Sequence, residues 1–351
     1  MVFAHNIYIH VPFCISKCNY CAFFSRADIS PDWETYAKNI ISEITNWAQI
    51  LNHCDVPTIF FGGGTPSLMP TVIFNQILTV INKNFKISDN CEITLESNPG
   101  TLDNKKLDEF ISCGANRLSI GVQSLDDEML KFLGRRHSVK TALDLIKCAQ
   151  AKNINLNADF IYGLPGQTPD DIIKLCNDIN AIGLKHVSMY ELTIEKSTPF
   201  GKMNLDMPSN SVMADMYCAI NDSLNLPRYE VSNYAAPGFE CHHNLNIWNG
   251  DAYVGFGPTA AGRPFFNNHW HEQIGADTKC AELSDRDRAI EQVITGMRTI
   301  RGIEVTDDIK SILNTDFIKN NSDLIKIDKN RIFATTQGML VLDNLLLNMV
   351  K

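Results

Sequence analysis

The chain has no apolar stretch approaching the roughly 18 residues that a membrane-spanning helix requires, no low-complexity tract, and no internal repeat longer than a strand and helix unit. Positive charge is in the minority: 31 Lys and Arg stand against 40 Asp and Glu, for a formal net charge of -9. Surfaces that grip nucleic acid are built from clustered cations, so this balance argues against a nucleic-acid backbone as the main partner. The residues ahead of the first β-branched run, Ile7 to Val11, leave no room for a secretory leader, and a cytoplasmic location is expected. A disulfide framework is disfavoured as well. The 11 cysteines are odd in number and the chain is long. Cys54, Cys91, Cys113, Cys148, Cys176, Cys218, Cys241 and Cys280 lie singly in apolar surroundings, as reduced thiols buried like small hydrophobes do. With 44% hydrophobic residues the chain can bury a large core without staples.

The other three cysteines, Cys14, Cys18 and Cys21, fall within eight residues, inside Tyr8-Ile-His-Val-Pro-Phe-Cys-Ile-Ser-Lys-Cys-Asn-Tyr-Cys-Ala-Phe. At this cysteine frequency the triple spacing arises by accident only about 0.01 times in such a chain, so it carries chemistry. Three thiolates can hold an iron–sulfur cluster and leave one iron without a protein ligand, whereas electron carriers and structural zinc normally take four. The alternative is a Cys3His zinc site recruiting His10 or His5, weakened by the absence of a second, distant cysteine pair.

Up to about residue 225, short β-branched runs alternate with amphipathic stretches, the pattern of strand and helix units around a parallel sheet. Six strands are expected: Asn6 to Val11, Thr58 to Phe61, Glu92 to Ser97, Arg117 to Val122, Asn155 to Ile161 and His186 to Thr193. Helices are expected over Pro31 to Leu51, with Asp28 or Ser30 as cap, and over Ser138 to Lys152. Six units predict an α/β partial barrel over residues 1–225 rather than a closed eightfold one. Polar or glycine-bearing clusters follow every strand: the cysteine loop, Gly62-Gly63-Gly64-Thr65-Pro66, Glu96-Ser-Asn98-Pro99, Gln123-Ser124, Asp159 to Gly166, and Glu191 to Glu195. In barrel-like α/β folds the carboxyl ends of the strands carry the active site, so these clusters define one site. Residues 226–282 read as a loop-rich extension over the barrel, and 283–351 as a small helical, winged-helix-like domain whose acidic residues disfavour DNA.

The spacing C-x3-C-x2-C after a short apolar strand resembles the radical S-adenosylmethionine superfamily. That resemblance implies a [4Fe-4S] cluster on Cys14, Cys18 and Cys21, with S-adenosylmethionine chelating the open iron. The chain further resembles the group of coproporphyrinogen III dehydrogenases and HemW heme chaperones. The residues that carry this likeness are Tyr8-Ile-His-Val-Pro-Phe-Cys, Phe61-Gly-Gly-Gly-Thr-Pro-Ser, Glu96-Ser-Asn-Pro, Ser119-Ile-Gly-Val-Gln-Ser, Leu133-Gly-Arg-Arg-His and Asp159-Phe-Ile-Tyr-Gly-Leu-Pro-Gly-Gln. Position by position it implies cofactor contacts at Tyr8, Gly64, Thr65, Glu96, Gln123, Arg135, Asp159 and Thr193. The residues alone leave other roles open: Glu96 and Asp159 as strand-end caps, and Arg135 in a surface ion pair.

Within the group, dehydrogenases carry a fourth cysteine two residues after the third and a long segment ahead of the cluster. Here Phe23 stands in that place and thirteen residues precede Cys14, which points to the chaperone branch. His243-Asn244-Leu245-Asn246-Ile247-Trp248 is similar to the chaperones' His-Asn-x-x-Tyr-Trp heme motif, with Ile247 in place of the tyrosine. The resemblance implies heme ligation by His243 beside the flat surface of Trp248, with His242 and Cys241 as substitutes and a backbone-bonding role for His243 as the alternative. The implied partners are heme, a heme-acceptor protein and a reductant such as flavodoxin or ferredoxin, with membrane contact only through the acceptor. The rival reading is oxygen-independent coproporphyrinogen III dehydrogenase.

Overall fold

Strand residues that alternate between apolar and polar build a barrel with a dry outer layer and a polar lumen, because successive side chains point to opposite faces. The structure, a computed structural model, describes residues 3–275 and 279–351. Its central sheet holds the six expected strands, β1 (Asn6–Val11), β2 (Asp55–Gly63), β3 (Lys86–Ser97), β4 (Arg117–Gln123), β5 (Asn155–Tyr162) and β6 (His186–Glu191), side by side and parallel. Ile7 and Ile9 of β1, Ile59 and Phe61 of β2, Leu118 and Ile120 of β4, and Ala158 and Phe160 of β5 are fully buried under the helices. The alternate positions share a register: Thr58 pairs with Glu92, Thr94 with Arg117, Ser119 with Asn157, and Asn157 with His186.

The helices are cut where local chemistry dictates. The first, Trp33–Ile50, is capped by Asp32, whose carboxylate accepts from Thr35 N, and buries Ile40, Ile44 and Trp47. The expected caps Asp28 and Ser30 instead form a turn, with Ser30 N donating to Asp28. Ser138 caps Val139–Ala151, and Thr168 and Asp171 form a reciprocal capping box at the start of Pro169–Ile182.

The segment expected to lie over the barrel contributes to its sheet and its floor. Strand β7 (Asn233–Ala235) pairs antiparallel with β6, and β8 (Tyr253–Phe256) pairs parallel with β1. Between them the helix His242–Trp248 lies at the amino-terminal end of the lumen. Its first turn is anchored on β3, where the Glu92 carboxylate accepts from His242 N at 3.1 Å and His243 N at 2.9 Å. An anion there satisfies orphan N–H groups. Beyond residue 283 a second core gathers Val293, Met297, Ile312, Ile332 and Met349 beside a three-stranded antiparallel sheet. Tyr217 packs against both cores.

Glu92 also faces Arg117 at 3.8 Å, with both side chains under a tenth exposed. Glu92→Ala therefore strands a buried cation and uncaps the floor helix, and should cost about 3–5 kcal/mol in urea unfolding. Asp55→Ala, which opens the exposed Lys86–Asp55 pair, should barely move the unfolding midpoint.

Candidate functional site

The cysteine loop leaves β1 and is stitched to the glycine turn after β2: Gly64 N donates to Val11 O at 2.7 Å and Thr65 N to Phe13 O at 2.8 Å. A side chain at position 64 would place its Cβ 2.6 Å from Phe13 O and 3.0 Å from Cys14 Sγ, so only glycine lets the two loops touch. Cys14, Cys18 and Cys21 are half-buried free thiols lining one cavity of about 680 Å³ that reaches from rim to floor. Among the described residues no three His, Cys, Asp or Glu converge closely enough for a single metal ion. Tetrahedral zinc would need sulfurs roughly 3.8 Å apart. The histidines of the zinc alternative are also committed: His10 binds Tyr8 Oη at 3.0 Å and Phe24 O at 2.8 Å, and His5 binds Phe3 O and accepts from Phe265 N. Three free thiols around one opening, backed by a glycine that keeps Cys14 Sγ clear, fit a cluster wider than one ion.

Tyr8, Glu96, Gln123, Arg135 and Asp159 line the same cavity, with Gly64 at its edge and Thr193 exposed at the rim beyond β6. Glu96 Oε2 accepts from Gly63 N at 3.1 Å. Burial first, and then the Asp159 charge, push its carboxyl up to about 8. Asp159 is also raised by burial, against hydrogen bonds from Asn157 at 2.7 Å and Ser119 at 3.1 Å. Through Gly63 N, Glu96 caps the end of β2, and both acids also line the lumen, where a cationic amine or ribose hydroxyls would satisfy them. Burial likewise raises the Tyr8 phenol. Gln123 has φ +70° at a register slip between Gly121 and Gln123, a backbone irregularity that frees the Gly121 carbonyl.

Arg135 is not in a surface ion pair. Its Nη2 donates to Asn98 Oδ1 at 2.5 Å and Gly121 O at 2.6 Å, its Nη1 donates to Cys18 Sγ at 3.4 Å, and its Nε is buried without a partner. Asn98, and Tyr20, which lines the cavity and interacts with the same guanidinium, thus belong to the site although the sequence singled out neither as a contact. A deeper layer was missed too: Thr58, Glu92, Arg117, Asn157 and His186, each less than a tenth exposed. Period two was the available signal, since these residues lie two or four positions before lumen residues, or opposite them in register.

His243 was expected on a loop, but it lies on the floor helix at 3% exposure. Its Nδ1 bonds Thr58 Oγ1 at 2.7 Å and its ring stacks on Phe60, with centroids 5.0 Å apart. Burial, then Arg117, lower its pKa to about 3, so it stays neutral. Only Nε2 is uncommitted, and the ring borders the same cavity as Glu96 and Asp159. The Arg298 guanidinium covers the Trp248 ring at 4.9 Å. Cys241 is buried with its thiol on Glu92, while His242 is exposed.

Between pH about 4.5 and 8 the folded chain holds a proton on Glu96 that the unfolded chain has released, so this residue's contribution to stability falls as pH rises through that window. Glu96→Gln should flatten the decline in unfolding free energy across the window. An unchanged slope would count against a protonated Glu96.

Residues 8–179 match the model of the radical SAM superfamily. The chain is 31% identical over 329 residues to heme chaperone HemW of Buchnera aphidicola (subsp. Schizaphis graminum), covering 92% of this chain and 80% of that one. It is 34% identical to heme chaperone HemW of Escherichia coli over 74% of this chain and 70% of that one. Among solved structures it superposes on coproporphyrinogen III oxidase (HemN) from Escherichia coli with a TM-score of 0.81 at 19% identity, covering 98% and 89% of the two chains, a likeness of fold. Among the described residues no helix is long and apolar enough to cross a membrane.

Proposed function

Because the chain belongs to the radical SAM superfamily and, within it, to the HemW family of heme chaperones, we propose that it binds heme and passes it to an acceptor protein. Membership implies a [4Fe-4S] cluster and S-adenosylmethionine. The observation that carries the reading is the identity to heme chaperones over most of the chain, joined to a cavity lined by three free thiols.

Cys14, Cys18 and Cys21 would hold the cluster, and Tyr8, Gly64, Thr65, Glu96, Gln123, Arg135, Asp159 and Thr193 the nucleotide. When bound, the cluster supplies an open coordination position and one electron to the nucleotide. Glu96 and Asp159 offer acceptors in a water-poor lumen, where a cationic amine would draw the proton from Glu96. The Gly63-Gly64 backbone allows close approach along the amino acid end. A flavodoxin- or ferredoxin-type protein is the proposed electron source. Phe23, 70% exposed where dehydrogenases carry their fourth cysteine, supports a carrier over a porphyrinogen oxidase. The exposed His242 ring supports that residue, in place of His243, as the imidazole a heme outside the barrel would meet.

Anaerobically reconstituted protein should bind heme stoichiometrically and leave coproporphyrinogen III unchanged; turnover of the porphyrinogen would defeat the carrier reading. Cys18→Ala should abolish the visible iron–sulfur absorption with the fold retained, and an unchanged iron content would remove Cys18 as a ligand. In heme titrations His242→Ala should alter the Soret spectrum, while His243→Ala should leave it and lower the unfolding midpoint. The opposite pattern would return the ligand role to His243.

A further inference from the structure

Two of the three cluster cysteines receive side-chain hydrogen bonds, and both lines of donation start at one guanidinium. Arginine has donors and no acceptor, so the polarity of everything downstream is fixed. Arg135 Nη2 donates to Asn98 Oδ1 at 2.5 Å, which orients the Asn98 amide and leaves its Nδ2 to donate to Thr65 Oγ1 at 2.9 Å. The Thr65 hydroxyl, having accepted there, donates its own hydrogen to Cys14 Sγ at 3.6 Å. Arg135 Nη1 reaches Cys18 Sγ directly at 3.4 Å. The Tyr20 hydroxyl also interacts with both the Cys18 sulfur and the guanidinium. Among the described residues Cys21 Sγ receives no side-chain donor.

The surroundings are built to keep this chain in place. Gly121 O takes the second Nη2 bond at 2.6 Å. A Cβ on Gly121 would stand 2.9 Å from Asn98 Oδ1 and 3.2 Å from Arg135 Nη2, so a side chain there would displace both. Nη1 and Nη2 are thus held by Cys18, Asn98 and Gly121 independently of any contact the guanidinium also makes to the nucleotide.

We propose that Arg135 is a positioning residue whose directional hydrogen-bond chain through Asn98 and Thr65 feeds donors to Cys18 and Cys14 and raises the reduction potential of the cluster they hold. Hydrogen bonds to ligand sulfurs favour the reduced, more negative state, and one from a cation does so most. The inference rests on the reading that Cys14, Cys18 and Cys21 hold the cluster. A cluster raised in potential accepts an electron readily and spends it on bond cleavage reluctantly, which suits a carrier that keeps its nucleotide intact.

The test is an EPR-monitored dithionite titration of the full chain, reconstituted anaerobically, without nucleotide, with iron and sulfide quantified in each variant. Arg135→Gln should shift the midpoint negative by at least tenfold in the one-electron equilibrium, about 59 mV. Arg135→Lys should recover part of the shift. Thr65→Val, which removes the Cys14 donor without changing shape, should shift the midpoint the same way by less, and Thr65→Ser should restore it. Should Arg135→Gln fail to fold, the Thr65 pair decides the matter. Wild-type midpoints in fully loaded Thr65→Val and Arg135→Lys would overturn the proposal and leave heme carriage standing. A chain that assembles no cluster would overturn both.

Discussion

A full positive charge sealed at the base of the barrel sets the terms for everything above it. Arg117 is 2% exposed and donates no side-chain hydrogen bond among the described residues; its compensation is the field of nearby carboxylates, Glu92 first at 3.8 Å. An ion so placed is costly unless opposite charge stays close. In return its field favours ionisation of Glu96 and Asp159 against the penalty of burial and disfavours charging of His186 and His243. The lumen is therefore an electrostatic system in which no member can be changed alone. Glu92 belongs to it twice, as counter-ion to Arg117 and as cap of the floor helix.

The rim is organised differently. There the loops that follow β1, β2 and β3 and the segment beyond β4 interlock through Arg135, Asn98, Thr65 and two cysteines. Donor polarity runs outward from one guanidinium and ends on sulfur. Floor and rim are joined by a single cavity, with Glu96 and Asp159 between them. The proton occupancy of those two acids is set first by burial and is eased by the Arg117 field from below.

Legibility followed the reach of the interactions. The six strands, their order along the chain and the clustering of polar residues at their carboxyl ends could be read locally, because a parallel barrel imposes both a period and a polarity. The cysteine spacing was legible because a tripod of thiolates fits within one loop. The deep polar layer was not, although Thr58, Glu92, Arg117, Asn157 and His186 keep the lumen phase of their strands. In a strand each reads as an isolated polar residue, and only closure of the sheet brings them together. His243 was read as a loop residue because Asn-rich His242–Trp248 has weak helical propensity; the anchor that makes it helical, Glu92, is 151 positions away.

By itself the sequence determined the cluster chemistry, the barrel class and the family, since each rests on residues adjacent in the chain or repeated at fixed spacing. The tertiary structure alone decided that the histidine of the motif points into the barrel, that the face of Trp248 is covered by Arg298, and that Arg135 spends its donors on Asn98, Gly121 and Cys18. The reason is physical. A side chain's partners inside a closed sheet are fixed by which strands become neighbours and by what plugs the end, and neither is encoded within the reach of a single segment.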